Sequence, residues 1–554
     1  MIEDMKTWWK SGTPWIWLNA GAVSVSLLLV LGILGMIMIK GMGHFWVSDV
    51  YELQYDEGKS ETTRIIGERI EIAEVPLYLY KEVENKEAPD NVDKIERVLF
   101  KRGNRDQSAD FMWVYAHNIK SRSTPADIIK LERLEWGNFY GYLKNVQESG
   151  KVVASGDESW NELNTRFDRV LELREKLEHL EKDEISSINY GLERLRLKKR
   201  KLELEGEDTA ENLKLIADEE KAFNDEYQVF IKELNQLRAE IARDSAAFTI
   251  ASGKVVTIPL KLIVSMLKPN EMTVFDKLGH YLLNFYNFIF DDPREANTEG
   301  GVFPAIFGTV MMVILMSIIV TPFGVIAAIY LREYAKQGPV IRLIRIAVNN
   351  LAGVPSIVYG VFGLGFFVYF LGGNLDQLFY PEALPAPTYG TPGLLWASLT
   401  LALLTVPVVI VSTEEGLARI PRNLREGSLA LGATKIETLW RVVLPMTSPA
   451  IMTGLILAVA RAAGEVAPLM LVGVVKLAPE LPMDDNFPFL HMERKFMHLG
   501  FHIFDVGFQS PNVEAARPLV YATAFLLVLV IILLNLSAIM LRNRLREKFK
   551  ALDA

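Results

Sequence analysis

The sequence predicts an all-α membrane protein of six transmembrane helices, split by a charged α+β insert that carries a helical hairpin. Three observations predict it. Six runs are apolar and long enough to cross a bilayer, most near the ~20 residues a helix needs: Trp15 to Ile39, Val302 to Tyr330, Leu351 to Leu371, Leu394 to Val411, Ile451 to Val475 and Pro518 to Leu541. Charge is segregated. The stretch from His44 to Gly300 holds 50 of the 68 acidic and 37 of the 59 basic residues, so it is net −13 while the rest is net +4. Within it, Leu213, Ile216, Glu220, Phe223, Tyr227, Phe230, Leu234, Leu237 and Ile241 recur at alternating spacings of three and four, the seam of a left-handed coiled coil.

Taken in chain order, residues 1–43 form a cytoplasmic N-terminus and the first span. Lys6 and Lys10 resemble a signal-peptide n-region, but the apolar run is too long and lacks a small-residue cleavage site, so it reads as a retained anchor. The insert covers 44–300. Its segments Val47 to Tyr55, Thr62 to Ile72, Arg97 to Lys101, Phe111 to Lys120 and Phe248 to Ile263 are short and rich in β-branched and aromatic residues, which predicts a small β domain. Between them, about 160–246, lies the hairpin. Its first arm carries Val170, Leu173, Leu177, Leu180, Ile188, Leu192, Leu195 and Leu202, and Gly206-Glu207-Asp208-Thr209 supplies a turn and a helix N-cap. Arms of roughly 45 residues at 1.5 Å each would project on the order of 60 Å. Such a module would either contact a further periplasmic partner or serve as a passive spacer. The core, 301–541, contains the other five spans, and 542–554 is a tail.

Basic loops are retained on the cytoplasmic side. Arg332, Lys336, Arg342 and Arg345 follow the second span; Arg419, Arg422, Arg425, Lys435 and Arg441 follow the fourth; Arg542, Arg544, Arg546, Lys548 and Lys550 follow the sixth. The loop from Gly372 to Gly393 has no Lys or Arg. Alternation then puts both termini in the cytoplasm and the insert outside, which in a Gram-negative cell is the periplasm. The inner membrane is the expected location.

Several functions are excluded or unsupported. Absence of Cys removes disulfides, thiolate metal sites and cysteine nucleophiles. An acidic insert without a basic stripe argues against nucleic acid. Gly58-Lys59-Ser60 lacks the earlier Gly of a phosphate loop, so the chain is not expected to hydrolyse ATP itself. His498 and His502 have the spacing of a helical metal pair, but Leu499 stands where a zincin motif has Glu. No metal or cofactor is expected.

Two constellations carry chemistry. Arg461 and Glu465 lie in the fifth apolar run, in Ala460-Arg461-Ala462-Ala463-Gly464-Glu465, where an ionised group costs at least ~2.5 kcal/mol. Four residues apart, they share one helical face and can pair, with small neighbours that admit another helix closely. A structural ion pair is one reading. The other is an anion path, because a guanidinium is always charged and its planar donor fork suits oxyanions. The second constellation is Glu426-Gly427-Ser428-Leu429-Ala430-Leu431-Gly432, nine residues, then Val442-Val443-Leu444-Pro445. Glu426 is expected near a helix start, where its charge suits the dipole, and Gly432 at a bend that a Cβ would resist.

This second pattern resembles the coupling motif of ABC importer permeases, E-A-A-x3-G-x9-I-x-L-P, with Gly427 and Ser428 for the two Ala and Val442 for Ile. Gly353-Val354-Pro355-Ser356-Ile357-Val358-Tyr359-Gly360, Phe362-Gly363-Leu364 and Arg461-Ala462-Ala463-Gly464-Glu465-Val466-Ala467-Pro468-Leu469 narrow the resemblance to the permease subunits of the phosphate-specific importer, of the type I ABC importer permease fold. The resemblance implies inorganic phosphate as substrate, a homologous second permease subunit, a cytoplasmic ATPase dimer and a periplasmic phosphate-binding protein. It implies that Arg461 and Glu465 fall on the charged intramembrane motif, and that Glu426, Gly427, Leu429, Ala430, Gly432, Leu444 and Pro445, within 415–447, couple to the ATPase. The insert departs from the family, so the resemblance implies nothing about its role. A permease for sulfate or molybdate, or a structural or signalling scaffold that uses the hairpin, remains as an alternative; inverted repeats of a secondary transporter are not evident.

Overall fold

The computed structural model describes residues 9, 11–56, 62–78, 80, 93–510 and 513–550; Lys6, Lys10 and Gly58-Lys59-Ser60 lie outside the described residues. Among the described residues, six helices are long and apolar enough to cross a membrane: Pro14–Gly43, Phe303–Tyr334, Ser356–Phe379, Leu394–Arg419, Lys435–Ala463 and Ala516–Arg544. Two differ from the sequence reading in a way that matters. The third starts at Ser356, because Leu351 ends a separate helix, Pro339–Leu351, residues 352–355 form a turn, and Pro355 caps the new helix with its fixed φ. The fifth ends at Ala463 and not at Val475.

Spans two, four and five form the centre of the bundle, and small residues set their spacing. A Cβ on Gly324 would fall 2.6 Å from Val409, one on Gly416 2.4 Å from Ala450, and one on Gly454 2.7 Å from Ser412. Close approach at such positions is how apolar helices gain dispersion energy where lipid offers no hydrophobic drive. Met312, Met316, Val320, Leu401, Leu404, Val409, Ala458 and Ala462 are fully buried in this cluster. The first span is apart from that core and leans on the sixth near its end, where a Cβ on Gly41 would meet the Tyr521 carbonyl at 2.8 Å.

The insert contains two large antiparallel sheets, and a two-stranded ribbon of Pro293–Arg294 with Glu299–Gly300, where the sequence predicted one small β domain. The first has the order β4-β3-β2-β1-β5, from β1 (Val50–Tyr55), β2 (Thr63–Pro76), β3 (Lys94–Lys101), β4 (Phe111–Tyr115) and β5 (Ile119–Ser123). The second runs β10-β9-β7-β6-β11, with β8 also on β7; these are β6 (Ile129–Arg133), β7 (Phe139–Glu148), β8 (Lys151–Ser155), β9 (Asp244–Thr249), β10 (Val255–Pro259) and β11 (Ile263–Leu267). Strands β6 to β8 were not expected from the sequence.

Two helical arms, Ser159–Glu205 (with a wider turn at Leu180–Ile185) and Ala210–Ile241, leave and rejoin the second sheet. They turn at Gly206, φ +72°, and Thr209 caps the return arm by accepting from the Asn212 N–H. The arms run antiparallel, with Arg238 paired to Glu181 at 2.6 Å near the base and Gly191 against the Phe223 ring farther out. Leu163, Phe167 and Val170 root the first arm in the core of the second sheet.

The hairpin does not stand free as the length estimate implied. Tyr190 donates a hydrogen bond to the Phe487 carbonyl at 2.5 Å and its ring meets His491 edge-on, Lys182 pairs with Asp292, and the outer half of the arm packs on Pro381–Ala383. The insert thus rests on the loops that follow the third and fifth spans. A buried polar joint fastens it: the Asn297 amide donates to the Lys476 carbonyl at 2.8 Å, Lys476 pairs with Asp505 at 3.1 Å, and Arg105 reaches Glu295 and Glu299. Burial raises the Glu299 carboxyl above the usual carboxylate range, opposed by Lys101 and Arg105.

Candidate functional site

Arg461 occupies the last turn of the fifth span, and the helix breaks directly after it. The chain continues through Gly464 and Pro468 into a short turn, Leu469–Val472, that stays among the spans. Close contacts hold the segment after the break among the spans. A Cβ on Gly360 of the third span would lie 2.7 Å from Pro468, one on Gly363 2.3 Å from Thr400, and one on Gly473 2.6 Å from the carbonyl of Gly393 at the start of the fourth span. Irregular backbone at membrane depth is tolerated only where it is buried in protein or lines a cavity. Arg461 Nε sits 3.6 Å from Glu465 Oε1, and the side chains are 31% and 21% exposed. The two predicted residues are therefore brought together, but across a helix end and not along a continuous helical face.

The flank of the fifth span that carries Arg461 also presents Thr453, Leu457 and Gly464, all exposed, while Ala458, Ala462 and Ala463 face the core. Arg461 therefore lies on the exposed flank of this helix. At the far end of the third span, Asp376 is fully buried, and its carboxylate accepts from the Tyr389 and Gly390 N–H groups at 2.8 and 2.6 Å. That partnering makes it a loop bracket.

At the opposite end of the bundle, Arg422–Ala430 and Lys435–Thr438 form two short helices around a bend. Gly432 holds φ +87°, in the left-handed region that favours glycine, and a Cβ there would touch nothing within 4 Å. Thr434 and Glu437 make a reciprocal capping box after the bend. Arg425 ties the knob to the bundle through Glu333 at 2.9 Å and the Leu417 carbonyl at 2.6 Å. Glu426 is not near a helix start: the helix begins four residues earlier and continues through Gly427. Glu426, Gly427, Leu429 and Ala430 are exposed, whereas Leu444 and Pro445 begin the fifth span's inner helix. The sequence reading missed the most prominent apolar tip, Leu431, 91% exposed, and the exposed Ile436 and Trp440 that follow it in the chain. Three large apolar side chains within ten residues of a charged loop were the available signal.

His498 and His502 are buried separately. The Gly500 N–H donates to His498 Nδ1 at 3.1 Å as a helix cap, and His502 Nδ1 lies 3.4 Å from the Thr523 hydroxyl. Among the described residues no group of three or more His, Asp or Glu is placed to hold a metal. Desolvation lowers both imidazoles to about 4. Because each folded-state value lies below the unfolded one near 6.5, the unfolded state binds more protons between these pH values, and stability falls as pH drops through that window. The melting temperature of the detergent-solubilised chain is expected to decline from pH 7 to pH 5, with a contribution of at most about 1.4 kcal/mol per pH unit for each His. Conversion of both to Gln should flatten the profile; an unchanged slope would contradict the assignment.

The family described as "Binding-protein-dependent transport system inner membrane component" matches residues 320–550. The phosphate transport system permease protein PstA of Mycobacterium leprae (strain TN) is 39% identical over 230 residues, covering 41% of this chain and 67% of that protein. The probable ABC transporter permease protein YqgH of Bacillus subtilis (strain 168) is 33% identical over 256 residues, covering 46% and 76%. Among solved structures, the inward-facing MetNI methionine ABC transporter aligns at 18% identity and a TM-score of 0.31, over 44% of this chain and 94% of that one, too weak a likeness to bear on the fold. With its six spans and with relatives matched over two thirds or more of their length, the chain belongs to the family of binding-protein-dependent transport system inner membrane components.

Proposed function

We propose that this chain is the membrane-spanning permease subunit of an ATP-driven importer of inorganic phosphate. The relatives named for phosphate transport carry the substrate class, and the observation in this chain that carries the path is Arg461, half-buried beside a helix that ends within the bundle. It performs no covalent catalysis.

Each predicted residue has a role in this reading. Arg461 presents a fixed positive fork to a tetrahedral oxyanion, and Glu465 orients the guanidinium while it repels an anion that strays from it. The flank bearing Thr453, Leu457 and Gly464 is the surface for a homologous second subunit, so the conduit forms between the two. Glu426, Gly427, Leu429, Ala430 and Gly432, with Leu431, Ile436 and Trp440, enter a groove of a cytoplasmic ATPase dimer, and Leu444 and Pro445 pass its motion to the fifth span. Nucleotide binding shifts the balance between inward and outward states because it favours one of them. The basic loops support an orientation with both termini in the cytoplasm and the insert in the periplasm. There the insert and its coiled-coil hairpin rest on the loops after the third and fifth spans, the face on which a phosphate-binding protein delivers its cargo.

The test is purification of the complex from native membranes, identification of its subunits by mass spectrometry, and reconstitution in proteoliposomes. ATP-dependent accumulation of labelled phosphate, with little sulfate or molybdate, is expected. Preferential uptake of another oxyanion, or purification without an ATPase, would overturn the proposal.

A further inference from the structure

The segment between β11 and the second span folds into an amphipathic helix, Val274–Phe290, that the sequence reading did not anticipate. Thr273 and Asp276 close a capping box at its start. One face packs inward: the rings of Tyr281, Phe285 and Phe288 surround Phe45 at 6.3, 5.3 and 5.1 Å. Phe45 follows the end of the first span by two residues, and Phe288 is buried with Val302 and Ala305 at the start of the second. The helix is thereby held at the level where two spans leave the bundle on the insert side.

Its other face is apolar and bare. Phe275, Leu278, Leu282, Tyr286 and Phe290 recur three or four residues apart, and are 48–84% exposed. Polar groups are confined to the flank: Lys277 pairs with Asp49, and the Asn284 amide donates to the Phe45 carbonyl at 3.1 Å. Trp46, also exposed, lies 6.2 Å from the Tyr281 ring, an amphipathic aromatic at the depth where such rings collect. A helix with one apolar face, one polar flank and a position at the mouth of two spans has the design of an interfacial membrane helix.

We propose that Val274–Phe290 lies in the lipid headgroup region on the insert side, with Phe275, Leu278, Leu282, Tyr286 and Phe290 in the acyl boundary. Lipid is the occupant because the helix sits at the junction of two apolar spans whose outer residues are bare to the same degree, Ile318 of the second span among them. The helix also fixes the attitude of the insert. Asn270, just before it, accepts from the Val50 N–H at 2.9 Å and donates to the Val50 and Pro125 carbonyls at 2.8 Å, so the first sheet is clamped to the anchor and not hung from a loose linker.

The natural chain has no Cys, so single labels can be introduced without removing any. In the full-length chain in lipid nanodiscs, a bimane label at Leu282→Cys should be quenched by brominated lipid about as strongly as one at Ile318→Cys. It should also lose most of the iodide quenching seen at Val229→Cys on the exposed side of the hairpin. Tyr286→Cys repeats the measurement should the first variant fold poorly. Iodide access equal to that at Val229, or shielding from both quenchers by a protein partner, would overturn the proposal.

Discussion

Arg461→Ala is expected to reduce phosphate uptake by roughly a hundredfold or more, about 3 kcal/mol, while the subunit still assembles and reaches the membrane. Loss of the cation removes the attraction for the anion and leaves Glu465, 3.6 Å away, as an uncompensated negative charge beside the same path. Both effects act against cargo. Arg461→Lys retains the charge but not the planar fork, so it should recover part of the rate, and Glu465→Gln should alter selectivity or affinity more than assembly. Initial rates of labelled phosphate uptake in proteoliposomes measure all three. Near-normal uptake by the alanine variant would assign the pair to structure alone, because a partly buried ion pair can be retained without adding to transport.

Charge placed at the tip of the knob should separate the permease from its ATPase. Leu431→Asp changes a side chain that is 91% exposed and touches little of the subunit's own core, so folding should be unaffected. In a partner's apolar groove the carboxylate would be desolvated without a counter-ion, at a cost of several kcal/mol. Co-purification of the ATPase should fall by more than about tenfold, and uptake with it. Gly432→Val tests the bend by another route. No atom obstructs a side chain there, but φ is +87°, where a β-branched residue is strained by at least about 1–2 kcal/mol. The knob should therefore be misshapen while the spans stay intact. Retained docking and transport in both variants would remove the loop from the coupling path.

Much of this was legible because bilayers and helix termini impose simple rules. Span count follows from apolar length, and the bend at Gly432 follows from a residue type that few others can replace. The insert was harder to read. In β6, Ile-Lys-Leu-Glu-Arg alternates over only five residues, too few to distinguish a strand from a loop, and β7 mixes Gly, Lys and Asn into its run. Its strand character comes from pairing with β6, β8 and β9. The helix Val274–Phe290 has an almost continuous run of aromatic and aliphatic residues near its end, so its two faces become visible only once Phe45 and Val302 occupy one of them.

The sequence by itself determined that the chain crosses a membrane six times, that an acidic body separates the first two crossings, that a fixed-spacing loop precedes the fifth helix, and that one Arg lies deep within an apolar run. These are local properties of composition and spacing. Only the tertiary structure decided that the fifth helix stops at Ala463, since the apolar run continues past Gly464 and Pro468 to Val475; the segment after the stop is held among the spans where Gly360 and Gly473 admit neighbouring backbone, and Gly363 the Thr400 and Val472 side chains, at distances no Cβ permits. It likewise decided that the hairpin lies against the loops of the core instead of projecting freely. That outcome depends on Tyr190 meeting Phe487 and His491, residues nearly 300 positions away, and no periodicity within the hairpin encodes them.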